Sequence, residues 1–241
     1  MAAAEPASTV VPPLADDVRA ALRHAAIAVA AGTVVGLVVG GILGRIAMLV
    51  LRLTSGSEVI GVVTDDGFVM GRVTLSGSLN LAFVCTVIGV LLGLLYALAR
   101  RFLPRRGRVA AWVAVTGALG GAAFVHQDGV DYLVLDPLWL AIVFFVALPA
   151  LAGLCVALLV ERIEARGSTF GRGHLVGGLA SLLLVGPAIV GALLLLLGRL
   201  PTLRRLADAR AVRVVALLVV AALTVAGAVD VLDEGRVILS R

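Results

Sequence analysis

The chain has 241 residues, of which 61% are hydrophobic and 15% are charged, and its mean hydropathy is +1.12. This composition excludes a water-soluble globular domain, because soluble domains carry much more charge. The net charge of +5 comes from arginines between apolar runs, where they orient helices and meet lipid headgroups, so we expect no binding to nucleic acid.

Six apolar segments follow one another along the chain, each near the roughly 20 residues that a membrane-spanning helix needs. They cover about residues 25–50, 79–99, 110–125, 138–160, 175–197 and 212–229. Their continuous hydrophobicity predicts helices rather than the alternating strands of a barrel. We therefore predict an all-α bundle of about six transmembrane helices in one domain, residues 21–241, after a mobile tail at residues 1–20.

Glycines recur every four residues in the first segment, and the same spacing appears in the second and third segments. They are Gly32, Gly36, Gly40 and Gly44, then Gly89 and Gly93, then Gly117 and Gly121. In lipid, such small-residue faces favour close helix association. We predict a glycine zipper that packs helices together; the alternative is a sliding surface or a glycine-lined pore.

Arg45 is the charged residue that lies inside an apolar segment, and Arg52 follows seven residues later on the same helix face. Charges inside a bilayer mark candidate functional sites. Arg45 either snorkels to the interface or pairs with an external carboxylate. The favoured partners are Asp128, Asp131 and Asp136, ahead of Glu58, Asp65 and Asp66.

A β-hairpin is predicted between the first two segments, over about residues 59–75. Asp66 and Gly67 stand there between two β-rich runs, as in a two-residue type I′ turn. We favour a simple connector outside the membrane over the alternative, a lid or docking strand at the mouth of the bundle.

Arginine placement predicts the orientation in a plasma membrane. The connection after the second segment has five arginines between Arg100 and Arg108, whereas the next connection has none and has three aspartates. The first is therefore predicted to be cytoplasmic, with the N-terminus, and the second external. Six alternating spans place 12 arginines inside and seven outside, because five between Arg199 and Arg213 fall outside. A fifth segment broken at Pro187, leaving five true spans, is the competing topology.

The predicted external loop brings together one imidazole and three carboxylates, at His126, Asp128, Asp131 and Asp136. Such groups hold a metal or act on a lipid headgroup in one interpretation. In the favoured one they set topology and cap the fourth helix. The chain has no GxSxG, HExxH or GxxxxGK[ST] motif, so we expect no catalytic site, no metal site and no cofactor.

Several short motifs stand out in the first two thirds of the chain, namely Gly44-Arg45, Thr54-Ser55-Gly56, Thr64-Asp65-Asp66-Gly67, Asp128-Gly129-Val130-Asp131 and Leu135-Asp136-Pro137. Together they resemble motifs of uncharacterised multi-pass membrane proteins of actinobacteria. The resemblance covers roughly residues 40–160 and implies no known activity, substrate or cofactor.

Two functions from different classes follow from these patterns. The first is a structural or accessory subunit whose glycine faces dock other membrane helices or a second copy of the chain. The second is a permeation pathway or small-molecule binder that uses Arg45 and the acidic external loop. An enzyme that acts on headgroups ranks behind both, and the lipid bilayer is a partner in every case.

Overall fold

The computed structural model describes residues 14–64, 67, 69–165 and 210–240. Its elements are α1 (Leu14–Val35), a π-helical segment (Gly36–Leu43), α2 (Gly44–Thr54), a 3-10 turn (Ser57–Val59), α3 (Leu75–Ala99), α4 (Arg108–Phe124), α5 (Val130–Val134), α6 (Leu138–Ala165) and α7 (Arg210–Leu239). The described residues form helices and no strand, which confirms the predicted all-α class.

Four helices are long and apolar enough to cross a membrane. They are Ala20–Thr54, Leu75–Ala99, Leu138–Ala165 and Ala211–Leu239. A fifth helix, α4, is also apolar and has 17 residues, which gives it a length of about 26 Å. The predicted span at residues 175–197 lies outside the described residues, so the total of about six stays a prediction.

The connection between α2 and α3 does not form the two strands of the predicted hairpin. Val63 and Val69 make one isolated antiparallel bridge, and Gly67 closes a turn by donating its N–H to the Thr64 carbonyl at 2.8 Å. The start of the predicted hairpin is the 3-10 turn Ser57–Val59. Two paired strands without a third strand or a packed helix are marginally stable. Asp65 and Asp66 lie outside the described residues.

The first helix and α3 run antiparallel and touch through their backbones. A Cβ added at Gly32 would overlap the carbonyl oxygen of Gly89, and one added at Gly36 would overlap that of Cys85. A Cβ at Gly93, in turn, would overlap the carbonyl of Ala28. Glycine is therefore the residue that allows this approach, as in other closely packed membrane helices.

The structure corrects the predicted packing role of Gly44. A Cβ at Gly40 would overlap the side chain of Cys85, and one at Gly41 would lie 3.5 Å from the Cα of Ala82. Nothing lies within 4 Å of a Cβ at Gly44. Gly40 and Gly41 belong to the π-helical segment, whose wider turns change the angular register of the residues that follow. Gly44 thus leaves the face that the four-residue repeat predicted.

A second close pair of helices is α4 on α6. Cβ atoms added at Gly117 and Gly121 would lie 3.1 and 2.8 Å from side chains within residues 146–150. Between them, Gly120 makes room for the ring of Pro149, which lies inside α6. The α4 glycines therefore accommodate a proline that would otherwise obstruct helix packing.

Two apolar clusters stabilise the bundle, one at its centre and one at one end of the helices. The central one contains Ile27, Val35, Tyr96, Trp112, Val156 and Val160. The other contains Leu51, Val125, Tyr132, Leu135, Ala141 and Ile238. We call the end of the bundle where α3 and α6 finish the Glu161 end, and the end where α2, α4 and α7 finish the Tyr132 end.

The last described helix, α7, runs parallel to α4. A Cβ at Gly227 would lie 2.9 Å from the carbonyl oxygen of Ala118, and further along both helices the Gln127 N–H donates to the Glu234 carboxylate at 2.7 Å. The α7 helix therefore starts at the Glu161 end and finishes at the Tyr132 end. In the predicted bundle of six alternating spans, the sixth span would run antiparallel to the third, so α7 would run antiparallel to α4. The end of α6 and the start of α7 therefore lie at the same end of the bundle.

We expect Gly36→Ala to destabilise the protein by about 1–3 kcal/mol, because the added methyl group forces two backbones apart. Gly44→Ala is the matched control: it adds the same group to the same helix, in open space, and improves helix propensity. Thermal unfolding of the full chain in detergent measures both. A Gly36→Ala protein that melts with the parent would contradict the backbone contact.

Candidate functional site

One carboxylate at the Glu161 end connects three helices. Glu161 of α6 accepts a hydrogen bond from the Tyr96 hydroxyl of α3 at 2.9 Å and forms an ion pair with Arg108, the first residue of α4. Its Oε1 also lies 3.9 Å from Arg100 Nη1. The charge of Glu161 is therefore shared between two arginines and a phenol.

A second carboxylate, Glu164, brings the first helix into the same network. It lies three residues after Glu161, and so on the same face of α6. It pairs with Arg100, and its Oε1 is 3.5 Å from His24 Nε2 of α1. The pair with Arg100 is electrostatic rather than an aligned hydrogen bond, because Arg100 Nη1 has no hydrogen-bond partner of good geometry. We call these six residues the ion network: His24, Tyr96, Arg100, Arg108, Glu161 and Glu164.

The side chains of Arg100, Arg108, Glu161 and Glu164 are 18% to 26% exposed. This exposure is intermediate between that of a surface ion pair and that of a fully buried one. Surface pairs contribute about 0–1 kcal/mol, whereas breaking a buried pair costs about 3–5 kcal/mol. Each carboxylate has an arginine partner. Among the described residues, no group of three metal-ligating side chains lies together. The chemistry of the network is that of an electrostatic clamp.

An aromatic pair separates the ion network from the apolar core. The rings of Tyr96 and Trp112 have centroids 5.5 Å apart, and both residues are buried. Tyr96 uses its hydroxyl as the polar end of this layer, in contact with Glu161. Its position explains how a charged carboxylate is stabilised next to Val156 and Val160.

Arg45 does not form the predicted pair with an external aspartate. It is half-buried, and none of the ion pairs between described residues includes it. The acidic loop is attached to α2 in another way: the Ser55 hydroxyl donates to the Asp136 carbonyl at 3.0 Å and accepts from the Asp136 N–H at 2.9 Å. Because these bonds use the backbone of Asp136, its carboxylate remains exposed.

The other members of the predicted polar cluster are dispersed. His126 and Asp128 are exposed, whereas Asp131 is half-buried in α5. The neighbouring Tyr132 donates to the Phe124 carbonyl at 3.3 Å. Burial, with the nearby charge of Asp131, raises the pKa of Tyr132, so its hydroxyl stays a hydrogen-bond donor. The loop thus packs through Tyr132 and presents its acids separately.

The ion network was not predicted from the sequence. Arg100 and Arg108 served there as markers of orientation. A signal was present, since the second and fourth apolar segments run antiparallel to the third and therefore finish at the depth where it starts. Acids at the end of the fourth segment are then expected to meet arginines of the preceding connection.

No protein family, curated protein or solved structure matches this chain. The fold and the ion network define an all-α protein whose four long apolar helices are compatible with a multi-pass membrane protein. The resemblance to actinobacterial membrane proteins stays a prediction.

Glu161→Gln is expected to lower the free energy of unfolding by about 1–3 kcal/mol, because it leaves Arg108 with no counter-charge in a partly buried position. Asp233→Asn is the control, since the Asp233–Arg236 pair is 65% and 79% exposed and should contribute almost nothing. Chemical denaturation in detergent measures both. If Glu161→Gln and Arg108→Gln are additive in the double variant, the two residues are not coupled.

Proposed function

We propose that this protein is an integral plasma-membrane protein with a structural or accessory role, and that it is not an enzyme. The observation that carries this proposal is the ion network, in which the charged groups at the Glu161 end connect four helices. Such pairs hold a bundle together and leave no activated base or nucleophile at that position. The permeation pathway through Arg45 and the acidic loop gains no support from the described contacts.

The surface for docking a partner differs from the one that the glycine pattern suggested. Gly32, Gly36, Gly89 and Gly93 face one another within this chain, so their faces are already occupied. Only 6% of the most apolar 18-residue stretch of α7 is buried within the protein. Leu218 and Val225 of this helix are 64% and 62% exposed. We therefore assign the contact with lipid or with another membrane helix to the outer face of α7.

A photo-crosslinking residue at Leu218 tests this assignment, with the same residue at Ile238, which is fully buried, as the control. We expect a stoichiometric protein adduct from position 218 in native membranes and none from position 238. Mass spectrometry of the adduct identifies the partner as a second copy or another membrane protein. An adduct restricted to lipid would contradict the accessory role.

The direction of α7 also supports an orientation in the membrane. We propose that the Glu161 end is cytoplasmic, together with the N-terminus, and that α7 ends outside. The connection between α6 and α7 then starts and ends in the cytoplasm. Its one apolar run has about 23 residues, which is too short for two apolar spans of roughly 20 residues each. Fifteen arginines now lie inside and four outside, with Arg45 within a span. This satisfies the positive-inside rule better than six alternating spans do.

Cysteine labelling in intact cells tests the orientation, in a background without Cys85 and Cys155. An impermeant thiol reagent should modify cysteines placed at Gly129 and Ser240 and leave one at Gly107 unmodified until the cells are opened. Six alternating spans predict instead that position 240 is protected. Labelling at Gly107 with protection at Gly129 would invert the orientation.

A further inference from the structure

Arg45 and Arg52 form an arginine pair on α2 whose charges have no partner in the described part of the chain. The Nε–H groups of both are shielded from solvent and find no hydrogen-bond acceptor there, although the two residues as a whole are half-buried. Arg100 and Arg108, at the opposite end of the bundle, each pair with a glutamate. Shielded polar groups are normally hydrogen-bonded, so the two α2 arginines are suited to an anion that the described residues do not supply.

The position of the pair indicates where that anion comes from. The side of α2 that faces the bundle carries Gly44, Ala47 and Leu51. The two arginines are rotated away from this side by about 100° around the helix axis. Their neighbours on the helix surface, Met48 and Leu49, are 49% and 48% exposed. The arginine pair therefore lies on the lipid-facing flank of α2, within about two and a half turns of the Tyr132 end of the bundle.

The two arginines form a positively charged stripe along one flank of α2. Seven residues separate their Cα atoms by about 10.5 Å along the helix. Both side chains lean towards the helix N-terminus, so this separation is kept. Arg52 is also held against the connection to α3, because a Cβ added at Gly71 would lie 3.2 Å from its Nε. The flank therefore presents two guanidinium groups, one above the other, to anions at the edge of the bilayer.

The acids near this end of the bundle are used elsewhere or face water. Glu234 accepts from the Gln127 N–H, and Asp233 pairs with Arg236. Asp128 and Asp136 are exposed. Glu58 and Asp230 are exposed as well, and Asp131 has an interaction of its own. None of the ion pairs between described residues includes Arg45 or Arg52.

We propose that Arg45 and Arg52 bind the phosphate groups of anionic phospholipids. Phosphate is the anion present at this depth of a bilayer, and the planar guanidinium group binds its oxygens in a bidentate manner that an ammonium group cannot reproduce. The proposal rests on the membrane embedding proposed above and is independent of which face of the membrane the Tyr132 end occupies. Failure of the labelling experiment would therefore leave it intact.

The test uses the purified full chain in a non-ionic detergent, with phosphatidylglycerol added in steps. Native mass spectrometry counts bound lipid, and thermal unfolding reports stabilisation. We expect a rise in melting temperature that diacylglycerol with the same acyl chains does not produce. Inorganic phosphate is the third arm; if it stabilises the protein as phosphatidylglycerol does, the ligand is free phosphate and the lipid assignment is overturned.

In the variant arm, Arg45→Gln/Arg52→Gln should weaken phosphatidylglycerol binding by about tenfold or more. Arg236→Gln removes one charge at the same end of the bundle and should bind lipid like the parent. The Arg45→Lys/Arg52→Lys variant keeps both charges without the bidentate geometry, so its affinity for phosphatidylglycerol should lie between those of the parent and the double Gln variant. If the double Gln variant does not fold, the Lys variant still tests the proposal. Equal binding by the parent and the Lys variant would overturn the proposal.

Discussion

The contact between the backbones of the first helix and α3 sets the geometry of the rest of the bundle. It exists because Gly32, Gly36 and Gly89 have no side chains, and apolar side chains elsewhere on these helices gain little from leaving lipid for one another. Once the two helices are fixed in this way, α4 and α6 pack against them through Tyr96, Trp112 and Val156. Close dispersion contacts between backbones thus take the place of the hydrophobic effect that organises a soluble core.

The two ends of the bundle are stabilised by different chemistry. At the Glu161 end, carboxylates and arginines from four helices meet in one network. At the Tyr132 end the contacts are apolar, between Leu51, Tyr132 and Ile238, with backbone hydrogen bonds through Ser55. Salt screens ion pairs and does not screen apolar contacts. We therefore expect the Glu161 end to be more sensitive to ionic strength than the Tyr132 end.

Composition and hydropathy were enough to predict an all-α membrane protein and the approximate position of its first four apolar segments. The details that were missed depend on long-range contacts. The π-helical segment leaves no mark in the glycine repeat, so Gly44 was assigned to a face that it does not share. Sequence periodicity also does not show which acid pairs with which arginine. Asp136 was therefore among the predicted partners of Arg45, whereas its backbone binds Ser55. The direction of α7 follows from contacts such as that of Glu234, far from the segment boundaries.

The π-helical segment divides the first span into two helices, α1 and α2, which contact different parts of the bundle. α1 is oriented by α3 and by the ion network, whereas α2 is oriented by the cluster around Tyr132. The hydrogen bonds of a π-helix are less regular than those of the α-helices on either side, so bending of the span concentrates at Gly36–Leu43. Gly36 and Gly40 hold this segment against Cys85 of α3, so any such bend would turn about a point of contact with the neighbouring helix.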